Sequence, residues 1–150
     1  MTRFSFKQFD IAQDRCAMKV GTDGVLLGAW CHIDEARRIL DIGTGTGLIA
    51  LMAAQRNPQA HIDAIDIDTD AAQQAAANCA ASPFGKRIAV IQADARTFAI
   101  GHDTTYDAIV CNPPYFVDAL KCPDTQRTTA RHNDTLPFDA LLETVGRLLA

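Results

Sequence analysis

Hydrophobic positions along the chain change period several times, and the changes mark out alternating strands and helices. Arg37–Ile42 is a short apolar run of buried-strand character, entering a glycine-rich segment. Leu48–Gln55 then has helical character, and Asn57-Pro58 stops it. The pattern repeats with a strand over His61–Ile67 and an alanine-rich helix to about Ala80, capped by Thr69 or Asp70 and ended by Ser82-Pro83. Arg87–Gln92 is a third strand and Tyr106–Cys111 a fourth. Strands separated by helical segments of about ten residues imply βαβ units and a parallel sheet. The alanine-rich run Ala71–Ala81 needs only helix propensity to explain it and is given no functional weight.

The flanks are less regular. Phe4–Ile11 carries scattered aromatics, Phe4, Phe6 and Phe9, and reads as a short strand or an arm. Lys19–Gly24 is a turn, and Thr22 or Asp23 is expected to cap a helix through Leu26, Leu27 and Trp30. Residues 1–30 are therefore read as an arm and capping helix, and 31–150 as the main domain. From Phe116 to about Asp134 no period is clear, and connections of that length are usually binding loops or disordered segments. A last amphipathic helix is expected from near Leu136 and still running at Ala150. On this pattern the apolar fourth strand, Ala108–Cys111, would stand on a sheet edge without a partner. Native proteins avoid such an edge, so the chain reads as cut short after that strand and helix, or as paired with something else.

Composition narrows the class. A chain of 150 residues, 48% hydrophobic and 21% charged, suits one globular domain with a real core. The formal net charge of -4 argues against non-specific coating of nucleic acid, although Arg3, Lys7, Arg15 and Lys19 outnumber Asp10 and Asp14 near the amino end. An ordinary solvated surface explains those charges as well. The five cysteines are odd in number and widely spaced, with no CxxC pair, so neither a disulfide framework nor a zinc site is expected. His32, His61, His102 and His132 lack metal-ligand spacing, and no metal is expected. No stretch suits a signal peptide or a bilayer span, so no membrane partner is expected and the cytoplasm is the expected location.

Asp41-Ile42-Gly43-Thr44-Gly45-Thr46-Gly47 lies between a predicted strand and a predicted helix. Glycines there allow a tight turn and close approach of a ligand. A pyrophosphate favours an amide-rich helix end, whereas an acid at Asp41 suits the ammonium of S-adenosyl-L-methionine. Asp66 lies roughly 20 residues past Gly47, the interval expected of an acid that grips a ribose diol, with Asp68 as the alternative. Asp94, after the third strand, is placed to accept from an adenine amino group. Each has a plainer explanation: a structural turn, a surface acid at Asp66, a helix cap at Asp94.

Asn112-Pro113-Pro114-Tyr115 follows the fourth strand. A purine exocyclic amine is a poor nucleophile because its lone pair is delocalised into the ring. Two acceptors, the Asn112 amide oxygen and the Pro113 carbonyl, can stabilise the charge that develops as it attacks. The prolines stiffen the turn, and Tyr115 offers a face for base stacking, worth about 1–3 kcal/mol. A rigid turn without chemistry fits the isolated tetrapeptide equally well.

Together Asp41–Gly47 and Asn112–Tyr115 resemble the class I amino-methyltransferases, which use S-adenosyl-L-methionine. More specifically, Phe6–Phe9, Asp14–Gly24, Leu26–Trp30, Ser82-Pro83, Gln126-Arg127 and Ala130-Arg131 resemble the bacterial tRNA (adenine-N6)-methyltransferases that act on valine tRNA beside the anticodon. The resemblance implies a Rossmann-like α/β fold with a mostly parallel sheet. It implies Lys19, Gly21, Thr22 and Asp23 near the methionine end of the cofactor, with Asp41, Gly43 and Gly45 lining it. Asp66 would then hold the ribose and Asp94 the adenine, while Asn112, Pro113 and Tyr115 hold the target base. The implied partner is a tRNA, through its anticodon loop; no oligomeric state follows. Lys121, Arg127 and Arg131 stand ready for phosphates, but Asp118, Asp124 and Asp134 balance them. Competing classes are a glutamine methyltransferase acting on release factors, disfavoured by Lys19–Gly28, and a nicotinamide oxidoreductase, disfavoured by the glycine spacing and Asp41. A non-catalytic binding module is the third.

Overall fold

The computed structural model describes residues 3–16, 19–112 and 137–150. Among the described residues, its centre is a wholly parallel sheet of four strands, β3 (Arg38–Ile42), β4 (His61–Asp66), β5 (Ile88–Gln92) and β6 (Ala108–Cys111), in the order β5-β4-β3-β6. Each consecutive pair is joined by a helix: α2 (Leu48–Arg56), α3 (Thr69–Ala80) and α4 (Ala95–Ile100). The strand order reverses at β3, whose two neighbours are β4 on one side and β6 on the other. In open α/β sheets such a reversal leaves a crevice beyond the carboxyl ends of the strands.

Two cores follow from the alternation of side chains along the strands. Ile39, Ile62 and Val110 face α2 and the N-terminal segments, in a cluster with Phe9, Ile11, Ile33 and Leu51. Leu40, Ile42 and Ile65 face the other way, against Ala95, Ala99, Tyr106 and Leu148. Buried on both faces, β3 has near-continuous apolar character, as parallel strands do. Asp41 is its one charged buried residue.

At the amino end, β1 (Arg3–Ser5) and β2 (Asp10–Ala12) form a small antiparallel hairpin. Phe6 stacks on Phe9, and Phe9 meets the edge of Phe84, so the hairpin is tied to the core by its aromatics. Helix α1 (Thr22–Trp30) follows. Its N-cap is Gly21 with no side-chain cap, not Thr22 or Asp23 as expected; Asp23 turns back to accept from the Gly24 amide at 3.0 Å. Helix α3 is capped one residue earlier than expected, by Asp68, which accepts from the Asp70 amide.

The last helix, α5 (Phe138–Leu148), stops before Ala150 rather than running through it. Leu149 then forms a parallel bridge with Tyr106, with Tyr106 N–H donating to Leu148 O and Ala150 N–H to Tyr106 O, both at 2.8 Å. The chain thus returns to the sheet beside the start of β6, so the edge expected to stand bare is partly covered. Tyr106 also donates from its hydroxyl to Asp63 Oδ2 at 2.6 Å, pinning this corner.

The turn between α2 and β4 shows how one side chain closes a corner. Buried Asn57 donates from Nδ2 to Ile33 O at 2.8 Å and to Ala36 O at 2.7 Å. Replacing it by Ala removes both bonds; Ile33 O keeps the Ala36 amide at 3.1 Å, while Ala36 O loses its side-chain donor. A buried unsatisfied group costs about 1–3 kcal/mol, so Asn57→Ala should lower the unfolding free energy by about that much, read as an earlier urea midpoint with unchanged slope.

Candidate functional site at the strand reversal

The segment after β3 turns through three glycines of positive φ: Gly43 at 70°, Gly45 at 56° and Gly47 at 87°. That region is strained for L side chains, which is why the sequence spends glycine here. At Gly45 a Cβ would meet nothing within 4 Å, so its surroundings are open for a ligand. At Gly47 a Cβ would lie 3.4 Å from Ala75 Cα, so this glycine also lets the loop lie directly on α3. The Gly43 and Thr44 amides both donate to Ile65 O at 2.9 Å, and Gly47 N–H donates to Thr44 O at 2.9 Å. Gly45 N–H donates to Asp66 Oδ2 at 2.8 Å. The loop is thereby tied to the end of the neighbouring strand.

Register brings the other pieces to the same edge. Ile42 pairs with Cys111 and with Ile65, and Asp66 pairs with Gln92. Gly43, Asp66, Asp94 and Asn112 therefore leave the sheet at its carboxyl edge, with the glycine loop and Asn112 on adjacent strands at the reversal. The Asn112 amide nitrogen stands 3.4 Å from where a Cβ on Gly24 would sit, and the Leu48 side chain is equally close. So the first turn of α1, which contains Thr22 and Asp23 and follows Lys19 and Gly21, closes over the same corner. Pro113 and Tyr115 lie outside the described residues, as do Lys121, Arg127 and Arg131.

Three carboxylates have distinct environments. Asp41 is 1% exposed and accepts from the Thr44 hydroxyl through Oδ2 at 2.8 Å. Among the described residues, its Oδ1 is a buried polar atom without a hydrogen bond. Burial pushes this carboxyl up to about 7; Thr44 opposes the shift, the charge of Asp66 adds to it, and the Ala50 amide opposes it weakly without forming a hydrogen bond of ordinary geometry. Asp66 is half-buried and takes the Gly45 amide on one oxygen and the Asp68 amide on the other, the latter at 3.0 Å. Asp94 caps α4 by accepting from the Arg96 amide at 2.9 Å, and the Arg96 guanidinium adds contacts of 3.3 and 3.1 Å. The side-chain bond from Arg96 holds Asp94 below the usual carboxylate range. Asp94 is thus a helix cap, the plainer of its two explanations.

Three of the described cysteines are held in the protonated form. Cys16, Cys79 and Cys111 have thiols pushed up to about 12, first by burial and then by nearby carboxylates, so they stay protonated. All four described cysteines are free thiols. Among the described residues, no helix is long and apolar enough to cross a membrane.

Two residues of the alanine-rich helix escaped the sequence reading. Gln74 Oε1 accepts from the Arg15 amide at 3.0 Å, and Asn78 bonds both the hairpin and the glycine loop. Both are buried polar side chains in an otherwise apolar helix face. That departure from the pattern was the available signal.

A family model described as "Methyltransferase small domain" matches residues 16–132, most of the chain. The chain belongs to the methyltransferase small domain family. The chain is 58% identical over 148 residues to the tRNA1(Val) (adenine(37)-N6)-methyltransferase of Bacteroides fragilis, covering 98% of this chain and 62% of that one. It is 60% identical over 146 residues to the protein of the same name from Phocaeicola vulgatus, and 54% identical over 147 to that of Yersinia enterocolitica. It spans 61% and 59% of those two relatives. Among solved structures, the O-methyltransferase from Bacillus cereus in complex with SAH aligns with a TM-score of 0.61 at 18% identity, over 89% of this chain and 55% of that one. Cofactor-bound Rv0187 aligns at 0.62 and 18%, over 89% and 54%. At such identities the likeness establishes the Rossmann-like class I methyltransferase fold.

The buried acid has a consequence for stability. Asp41 is raised in the folded chain from its ordinary 3.8 to about 7, so between those values the folded state holds a proton the unfolded state has lost. Stability should therefore fall as pH rises from about 4 to about 7 and level off above. Asp41→Asn removes the buried charge and should raise the melting temperature at pH 8 by several degrees. The gain should vanish at pH 4, which paired thermal melts at the two pH values will read.

Proposed function

We propose that this chain binds S-adenosyl-L-methionine and methylates the exocyclic N6 of an adenine in a tRNA, the adenine beside the anticodon of a valine tRNA. The observation that carries the reading is the level register of Ile42 and Cys111, which sets the glycine loop beside Asn112 at the strand reversal. The activity for which relatives at 54–60% identity are named supports the substrate. The cytoplasm, where tRNA is available, is the proposed location.

The residues present fit the cofactor. A buried carboxylate oxygen without a hydrogen bond suits an ammonium group, and the space around Gly43 and Gly45 admits a ligand against bare backbone. In this reading Lys19, Gly21, Thr22, Asp23, Asp41, Gly43 and Gly45 surround the methionine end. Asp66 holds the ribose, and Asp94 holds the adenine amine. When bound, the cofactor supplies a methyl group on a positively charged sulfur, so no residue need activate the donor.

The protein's part is to hold the acceptor amine. Asn112 and the Pro113 carbonyl accept from its two hydrogens, drawing the nitrogen lone pair out of conjugation and stabilising the positive charge that grows on it. Tyr115 stacks on the base, which an anticodon loop can present unstacked at small cost. The proton leaves after transfer. The role of these residues is to orient and stabilise, with no preliminary deprotonation.

The test is a labelled-methyl assay on tRNA from cells lacking the modification, with nucleoside analysis of the product. N6-methyladenosine is expected, and Asn112→Ala should lower kcat by about 10²–10³-fold. Methyl transfer undiminished in Asn112→Ala, or label appearing in a release factor and not in tRNA, overturns the assignment. Calorimetry adds a second arm: S-adenosylhomocysteine should bind the wild-type chain and should bind Asp41→Asn more weakly.

A further inference from the structure

The peptide group joining Thr46 to Gly47 is held at both ends. Its N–H donates to Thr44 O at 2.9 Å, closing the turn around Gly45. Its carbonyl, Thr46 O, accepts from Asn78 Nδ2 at 2.8 Å. The same Nδ2 donates its other hydrogen to Ala12 O at 2.9 Å, and Asn78 Oδ1 accepts from Ala12 N–H at 3.0 Å. Asn78 is 5% exposed, so one buried amide ties three segments distant in sequence: strand β2, the glycine loop and helix α3. Both of its hydrogens and its oxygen are used, and no neighbouring water is needed to complete them.

This arrangement has a mechanical meaning. The orientation of the Thr46–Gly47 peptide decides where the Thr44–Gly47 turn closes, and hence where the Gly45 amide meets Asp66. A buried amide with both hydrogens and its oxygen engaged is held to one orientation. We infer that Asn78 is a positioning residue for the cofactor loop, acting through the Thr46 carbonyl and coupling the N-terminal hairpin to the cofactor site. The inference rests on the cofactor assignment made under Proposed function. Aspartate at this position keeps the acceptor and loses both donors, leaving a carboxylate against two carbonyls.

The test compares Asn78→Asp with Ser82→Ala in the full chain. Ser82 Oγ donates to Cys79 O at 2.7 Å and accepts from Phe84 N–H at 3.1 Å, so its loss loosens the end of the same helix without removing either bond of the Thr46–Gly47 peptide. Asn78→Asp should raise the Kd for S-adenosylhomocysteine about tenfold, while kcat at saturating cofactor changes less than about twofold. Ser82→Ala should lower the melting temperature and leave that Kd unchanged. A second measurement needs no variant: binding of S-adenosylhomocysteine to the wild-type chain should slow hydrogen exchange at the Ala12 amide, through Asn78. An unchanged Kd in Asn78→Asp, an equal rise in Ser82→Ala, or no added protection at Ala12 each overturns the inference and leaves the cofactor assignment standing. A wild-type chain that does not bind S-adenosylhomocysteine overturns the cofactor assignment, and this inference with it.

Discussion

Everything at this edge of the molecule depends on β3 being paired on both sides in level parallel register. Ile42 has Ile65 on one side and Cys111 on the other, so three chain segments leave the sheet at one height. A slip of one residue would turn Asp41 to the opposite face and exchange its surroundings for those of Ile42. The apolar residues that forbid the slip are Ile39 on one face and Leu40 on the other, each 1% exposed or less. The site is thus aligned by packing remote from it, and the loops need only leave the strands in the right direction.

The same register explains why the acid before the first glycine is unusual. Its partners across β3 are Ala64 and Val110, neither of which can hydrogen-bond it through a side chain. Thr44 reaches back to one oxygen, and the other is left without a bond among the described residues. A buried charge so weakly compensated is costly in the free chain. Its retention makes sense where a cationic ligand completes the site, since the energy withheld in folding is returned in binding.

What could be read from the sequence follows from which interactions are local. The parallel sheet and the glycine turn were legible because period, chain breaks and glycine spacing express backbone needs residue by residue. The cap of α1 was misassigned because Thr22 and Asp23 both have capping chemistry, yet the extended backbone falls on Gly21, at φ −131°. Helix α4 was overlooked because its six residues are too few to display a period. Only Asp94, weighed as a cap, hinted at it. Leu149 pairing with Tyr106 could not be foreseen, since a single bridge leaves no alternation. Of the residues proposed to hold the target base, Asn112 leaves the sheet beside the glycine loop, while Pro113 and Tyr115 lie outside the described residues.

Asn78 shows the limit most clearly. Its sequence neighbourhood, Ala75 to Ala81, suggests nothing beyond helix propensity, and each of its side-chain hydrogen bonds spans 32 or 66 residues. Such a contact has no local signature except a polar residue where the helix should be apolar. Yet it links the one loop that must keep its shape to the hairpin that Phe9 and Ile11 anchor in the core. A turn made of glycines has little intrinsic preference for one conformation, because each glycine is free to adopt several. The stiffness must come from outside the loop. Here it comes from Ile65 O, Asp66 and Asn78, which are supplied by β4 and α3, the strand and helix that follow the loop's own βα unit.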